Sequence, residues 1–175
     1  MGLVQVDTET VTSSTATVTL TGIDSDDVYM VAYTNVSPST DHTYLYARTT
    51  TSGTADSDSE YDYAHKWLET TDTFSNFSSV NQDKYSIENG HNGTVTGETA
   101  QGICYLYNFN NSSEYSFFVS ETSSGYGNAT TFYGAMGGCV HTVAEANDGI
   151  SFTYSSGNIA SGTFTLFKII WGIDE

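Results

Sequence analysis

Four aromatic residues occupy every second position between residues 61 and 67, and they are the first candidates for binding chemistry. They are Tyr61, Tyr63, His65 and Trp67. The segment could also form a helical turn, but we favour a strand, in which all four side chains share one face. An exposed aromatic row stacks on sugar rings, which predicts a glycan-binding platform suited to receptor recognition. The alternative is that the row packs into the core or a subunit interface.

Acidic clusters raise the question of calcium. Residues 56–60 read Asp-Ser-Asp-Ser-Glu and resemble the opening of an EF-hand loop. The match then fails, because Tyr61 stands where the loop needs glycine and Trp67 stands where it needs a bidentate glutamate. A second acidic cluster at residues 24–27 could offer oxygens to a divalent ion, but a solvated turn is the preferred interpretation.

The histidines and cysteines do not form a zinc pattern. The histidines, which lack ligand spacing, are His42, His65, His91 and His141. Cys139 and His141 share a strand face, which is a weak signal alone. Cys104 and Cys139 are predicted to be two free buried thiols, and a disulfide is the alternative if their strands are neighbours. The sequence therefore predicts no metal site and no cofactor.

No catalytic constellation stands out in the sequence. A G-x-S-x-G nucleophile motif is absent, and residues 134–138 match no phosphate-binding loop. A cysteine–histidine pair or a carboxylate pair would be compatible with the sequence. However, 21 acidic residues make carboxylate pairs uninformative. We expect a protein that is not an enzyme.

The charge balance excludes several partners. The net charge is −17, with Arg48, Lys66, Lys84 and Lys168 as the basic residues. Nucleic acids and anionic lipids are bound through clustered basic side chains, so neither is an expected partner. No apolar run approaches the ~20 residues of a membrane span, so we expect no membrane insertion. An acidic surface repels its neighbours less at high salt, which suits a protein that functions in seawater.

The N-terminal residues have neither the positive charge nor the apolar run of a secretion signal. This predicts synthesis and assembly in a cytoplasm.

Alternation with a period of two predicts an all-β fold. Residues 15–21 and 162–167 alternate between two faces, and residues 4–11 resemble a short edge strand. Residues 103–109 and 115–119 predict a hairpin. About ten such strands predict one antiparallel β-sandwich domain over residues 1–175, with jelly-roll-like topology.

Three segments between these strands carry other signals. Residues 35–41, which include the single proline, predict a turn. Residues 70–98 are weakly patterned and predict an elaborated loop. Glycines within residues 134–138 predict a bulge or close packing of backbones.

Four stretches resemble a family of small structural proteins encoded by marine tailed bacteriophages. They are GIDSDDVYMVAYTNVSPSTD (22–41), SGTADSDSEYDYAHKWL (52–68), GICYLYNFNNSSEYSFFVSET (102–122) and DGISFTYSSGNIASGTFTLFKI (148–169). The last is similar to the closing strand of phage fibre and appendage domains. The resemblance implies a non-enzymatic virion protein on the particle exterior, as a head decoration or a short fibre or spike.

The same resemblance implies partners. These are further copies of the chain, with a trimer as our expectation, and other virion proteins such as capsid, tail or fibre components. A receptor-binding module that recognises host surface glycan is the main alternative. A glycan depolymerase is disfavoured by the short chain.

Overall fold

The computed structural model describes residues 2–71, 74–88, 91–126 and 131–172. Within these ranges every regular element is a β-strand. The thirteen strands are β1 (Gly2–Val11), β2 (Val18–Thr21), β3 (Tyr29–Pro38), β4 (Leu45–Thr51), β5 (Thr54–Ala55), β6 (Tyr61–Glu69), β7 (Asn76–Gln82), β8 (Tyr85–Ser86), β9 (Ala100–Tyr107), β10 (Tyr115–Tyr126), β11 (Thr131–Ala144), β12 (Gly149–Tyr154) and β13 (Ile159–Ile170). No helix of this described part is long and apolar enough to cross a bilayer.

The strands form two antiparallel sheets of unequal width. The large sheet has eight strands in the order β1-β13-β3-β9-β10-β11-β6-β7. The small sheet has the order β2-β12-β4-β5, and β8 also pairs with β4. This confirms the predicted antiparallel sandwich, including the edge position of β1 and the β9–β10 hairpin. The jelly-roll connectivity stays a prediction.

Aromatic side chains fill the space between the sheets. Phe152 of the small sheet meets Phe164 and Tyr33 of the large sheet, with ring centroids 4.9 and 6.2 Å away. Further along, Tyr85 of β8 lies 5.6 Å from Phe118 of β10. Rings of this size bury enough apolar area to build a core in a chain that is 38% hydrophobic.

Buried tyrosines also link the two sheets through their hydroxyl groups. The Tyr61 hydroxyl of β6 lies 3.0 Å from Thr49 Oγ1 of β4. The Tyr85 hydroxyl lies 2.6 Å from Ser120 Oγ of β10. Each bond satisfies a polar group that burial would otherwise penalise, so tyrosine can serve where phenylalanine would be expected.

Two predictions about irregular segments were only partly right. Of the turn predicted over residues 35–41, residues 39–41 do lie between β3 and β4, but residues 35–38 belong to β3, which ends at Pro38. Asn35 has φ +52°, and the pairing of β3 with β9 shifts register between Tyr33 and Val36. Asparagine tolerates this left-handed conformation, so the signal at Asn35 reflects a bulge inside β3.

Residues 70–98 are also more ordered than predicted. They contain β7, which pairs with β6, and β8, which pairs with β4; residues 72–73 and 89–90 lie outside the described residues. Because β7 is an edge strand, five of its seven residues are exposed and its sequence is mostly polar. That composition resembles a loop, so β7 was not predicted; the other strands beyond the predicted ten, β5 and β8, have only two residues each.

Glu88 buries a carboxyl group against the large sheet. Its Oε2 accepts a 2.8 Å hydrogen bond from Asn92 Nδ2, and its Oε1 lies 3.4 Å from the Tyr33 hydroxyl. Burial raises the pKa of Glu88 to about 8, and the two hydrogen bonds offset part of that effect. The carboxyl group is therefore protonated in the folded protein at pH 7.

This buried acid predicts a fold that is less stable at high pH. Between pH 4.5 and 8 the unfolded chain ionises Glu88 while the folded chain does not, so the contribution of Glu88 to stability falls by about 1.4 kcal/mol per pH unit. Glu88→Gln should remove this contribution to the slope and gain about 4 kcal/mol at pH 8, with little change at pH 4. Urea unfolding at pH 4, 6 and 8 measures the free energy of unfolding of wild type and variant. Glu9→Gln, at an exposed position of β1, should keep the wild-type slope. Parallel profiles for wild type and Glu88→Gln would contradict the assignment.

Candidate functional site

The predicted aromatic row lies on β6 as expected, but it faces the small sheet. Tyr61 is 0% exposed and His65 is 6% exposed. Neither ring presents a face to solvent, so the prediction of an exposed glycan platform was wrong. The alternative of core packing is the one that the structure bears out. Tyr63 packs against the same core, with its ring 5.7 Å from that of Tyr85.

His65 is the least satisfied member of the row. Its ring stacks on Tyr63 and on Phe77 of β7, with centroids 6.1 and 5.2 Å away. Neither ring nitrogen has a hydrogen-bond partner among the described residues. Burial lowers the pKa of His65 to about 4, so the ring is neutral at pH 7 and packs like a hydrocarbon.

Gly137 makes room for this histidine. It is the direct partner of His65 across β11 and β6. A Cβ atom at Gly137 would lie 2.2 Å from His65 Cβ and 2.4 Å from the Ala64 carbonyl oxygen, which is far inside contact distance. The prediction of close backbone packing in this glycine-rich segment is confirmed.

Trp67 ends the row at the less covered side of the sheet. Its ring makes an edge contact with Tyr133, with centroids 5.6 Å apart. Its indole N–H is buried and has no hydrogen-bond partner among the described residues. The residue is partly exposed, and one partly exposed ring does not form a stacking platform.

Two other sequence predictions can be placed. Cys104 and Cys139 are free and buried, as predicted, and burial raises the pKa of the Cys104 thiol to about 12. The acidic turn at residues 24–27 is held by Lys168, whose Nζ lies 2.7 Å from Asp27 Oδ2 and 3.8 Å from Asp24 Oδ1. An ammonium group therefore already supplies the positive charge that an ion would bring.

The outer face of the large sheet carries a feature that the sequence analysis missed. A line drawn across the eight strands, perpendicular to them, passes through one residue of each strand. Each of these residues is the register partner of the one on the neighbouring strand, and none of the eight is charged. This row, called the uncharged row below, consists of Gln5, Phe167, Met30, Tyr105, Val119, Gly138, Ala64 and Ser78. All eight residues are at least partly exposed.

An apolar groove lies across this row. It has a volume of about 520 Å³ and is lined by residues of β6, β7, β10 and β11. Gly138 and Ala64 contribute almost no side chain, whereas Phe117, Val119 and Val80 stand 43%, 44% and 61% exposed. Small residues beside projecting apolar ones make a surface with both a recess and protrusions.

One sequence signal could have revealed this surface. The segment Tyr115-Ser116-Phe117-Phe118-Val119 is apolar on both strand faces, although β10 has only one face toward the small sheet. A strand with two apolar faces needs a second partner. The row itself could not be read from sequence, because it depends on the register of all eight strands.

Comparison with protein-family models, curated proteins and solved structures found no match for this chain. The resemblance to bacteriophage structural proteins therefore stays a prediction, and function is argued from the surfaces above.

The unsatisfied histidine gives a second stability prediction. His65→Phe keeps the ring stack and removes two buried nitrogens without partners, so it should gain about 1 kcal/mol or more at pH 7. The gain should grow toward pH 5, because the unfolded wild-type histidine protonates below pH 6.5 while the folded one resists until about pH 4. Thermal unfolding at pH 7 and 5 measures both effects. His65→Gln, which loses the ring but keeps polarity, should destabilise; a loss of stability in His65→Phe would refute this explanation.

Proposed function

We propose that this protein is a non-enzymatic structural subunit of a bacteriophage virion, displayed on the particle exterior, that assembles with copies of itself through the outer face of its large sheet. The observation that carries the proposal is the uncharged row together with the apolar groove that lies across it. The particle and its exterior come from the resemblance to marine phage structural proteins, as a head decoration or a short fibre or spike.

Charge favours a second copy as the occupant of this face. Every chain carries −17, so two copies repel wherever their acidic surfaces approach. The central part of the outer face adds little to that repulsion, because the uncharged row carries no charge and the charged residues at neighbouring levels, Asp62, Lys66 and Glu121, include one cation. Of these three, Asp62 lines the groove. A basic partner would instead gain most by binding one of the acidic surfaces. The uncharged row is the part of the surface that suits another acidic chain.

Shape supports the same occupant. Val119 and Val80 project from the rim of a recess that Gly138 and Ala64 leave open. A protruding valine of one copy can enter the recess of another, which buries apolar area on both chains. In a trimer the contact is repeated around a three-fold axis, and each copy is in contact with two neighbours.

Val119→Asp should abolish this assembly. It places a charge in the middle of the uncharged row, and the mass measured by light scattering should fall from about three chains to the single-chain 18.9 kDa. Val95→Asp is the matched control, because Val95 is 43% exposed, like Val119 at 44%, but lies outside the groove. The assembly should strengthen between low salt and marine salt as repulsion is screened. A monomer under all conditions, or equal loss in both variants, would refute self-assembly through this face.

The virion location has a separate test. Antibodies raised against the purified protein should label intact particles of the phage that encodes it, as seen by immunogold electron microscopy. Labelling distributed over the head would identify a decoration protein, and labelling at the tail would identify a fibre or spike component. Particles that lack the protein by mass spectrometry would refute the proposal.

A further inference from the structure

His141 is a fully buried histidine whose ring points into a group of carboxylates. It lies on β11, and its ring centroid is 4.8 Å from that of Tyr61. Its Nε2 is 2.8 Å from Asp56 Oδ2 and 3.4 Å from Glu60 Oε2. Its Nδ1 has no hydrogen-bond partner among the described residues. The only polar partners of this buried ring in the described structure are therefore acidic side chains.

Two further carboxylates approach the same place. One group of ligand atoms, all within 4.8 Å of one another, comes from Asp56, His141 and Glu145. A second group with the same spacing comes from Asp56, Asp58 and Glu60. Asp56, Glu60 and Glu145 thus bring carboxylates to the imidazole, and Asp58 adjoins two of them, Asp56 and Glu60.

No basic side chain compensates this concentration of negative charge. Arg48 and Lys84 form ion pairs with Asp83, and Lys168 pairs with the turn at residues 24–27. The fourth basic residue, Lys66, lies with its Nζ 5.9 Å from the ring of Phe74. Among the described residues, the carboxylates around His141 thus form no ion pair with lysine or arginine.

We propose that Asp56, Glu60 and His141, with Asp58 or Glu145 as a further ligand, bind a divalent transition-metal ion, for which Zn²⁺ is the best match. An imidazole nitrogen combined with carboxylate oxygens suits zinc, whereas calcium and magnesium prefer oxygen ligands alone. Zinc holds its ligands at about 2.0–2.2 Å, which places tetrahedral donors roughly 3.3–3.5 Å apart. The observed separations of 2.8 and 3.4 Å require only small side-chain movements.

The ion would join two parts of the chain. Asp56 and Glu60 lie on either end of the segment between β5 and β6, whereas His141 lies on β11, 85 residues from Asp56. Nε2 lies 2.8 Å from Asp56 Oδ2, and a metal ion binds only the unprotonated form of this nitrogen, so any proton on Nε2 must leave when the ion binds. The bound ion acts as a structural cross-link, a role that goes beyond self-assembly and does not depend on it.

Zinc binding is tested on the full chain after removal of metal with EDTA. Calorimetric titration with ZnCl₂ at pH 7.5 should give one ion per chain, and the melting temperature should rise by about 5–10 °C at free zinc one hundred times Kd. CaCl₂ and MgCl₂ should bind at least tenfold more weakly. Glu60→Gln changes a partly exposed residue and should fold, and it should weaken zinc binding by at least tenfold; Asp56→Asn should do the same.

Two control variants separate this site from alternatives. Asp24→Asn makes the same charge change in the other acidic cluster and should leave zinc affinity unchanged. His91→Gln alters a place where two histidines meet, since the rings of His42 and His91 lie 4.9 Å apart. This variant should also bind zinc with unchanged affinity. Loss of binding in His91→Gln with retention in Glu60→Gln would overturn the proposal, as would no saturable zinc binding or a preference for calcium. Val119→Asp should bind zinc like wild type, so failure of self-assembly and failure of metal binding are distinguishable.

Discussion

The structure depends on packing a five-stranded sheet against an eight-stranded one with aromatic rings between them. The mismatch in width decides where each side chain of the large sheet can be buried. Beneath the small sheet, Tyr61 and Tyr85 are fully covered and satisfy their hydroxyl groups on Thr49 and Ser120. Near Trp67 the small sheet covers the large sheet less completely, and buried nitrogens of His65 and Trp67 have no hydrogen-bond partner among the described residues. None of the described strands covers the opposite face of the large sheet.

Sequence periodicity predicts such a fold well, because a period of two needs no knowledge of tertiary contacts. It correctly predicts that the side chains of Tyr61 and His65 share a face. It does not predict which face points inward, since both orientations give the same alternation. The strand β7 and the bulge at Asn35 were missed for a related reason. Exposed edge strands and bulges contain polar residues, so their local sequence resembles that of a loop.

The His141 cluster was invisible to the sequence for a different reason. Short motifs identify metal sites when the ligands come from one segment, and the comparison of residues 56–60 with a calcium loop failed on that basis. The structure brings the same carboxylates to a histidine 85 residues from Asp56. That meeting follows from the pairing of β6 with β11, where His141 lies opposite Tyr61. Register is a long-range property, and no local pattern encodes it.

Electrostatics gives a common explanation for both surfaces. With 21 acidic and four basic residues, the chain cannot neutralise its carboxylates internally, and three of its four basic side chains are committed to ion pairs with Asp83 or with the turn at residues 24–27. Repulsion is then limited in two ways. Acids can be kept away from a surface, as along the uncharged row, or concentrated where an external cation can bind, as around His141. In such a chain the absence of charge along one row and the excess of charge around His141 each indicate what that part of the surface contacts.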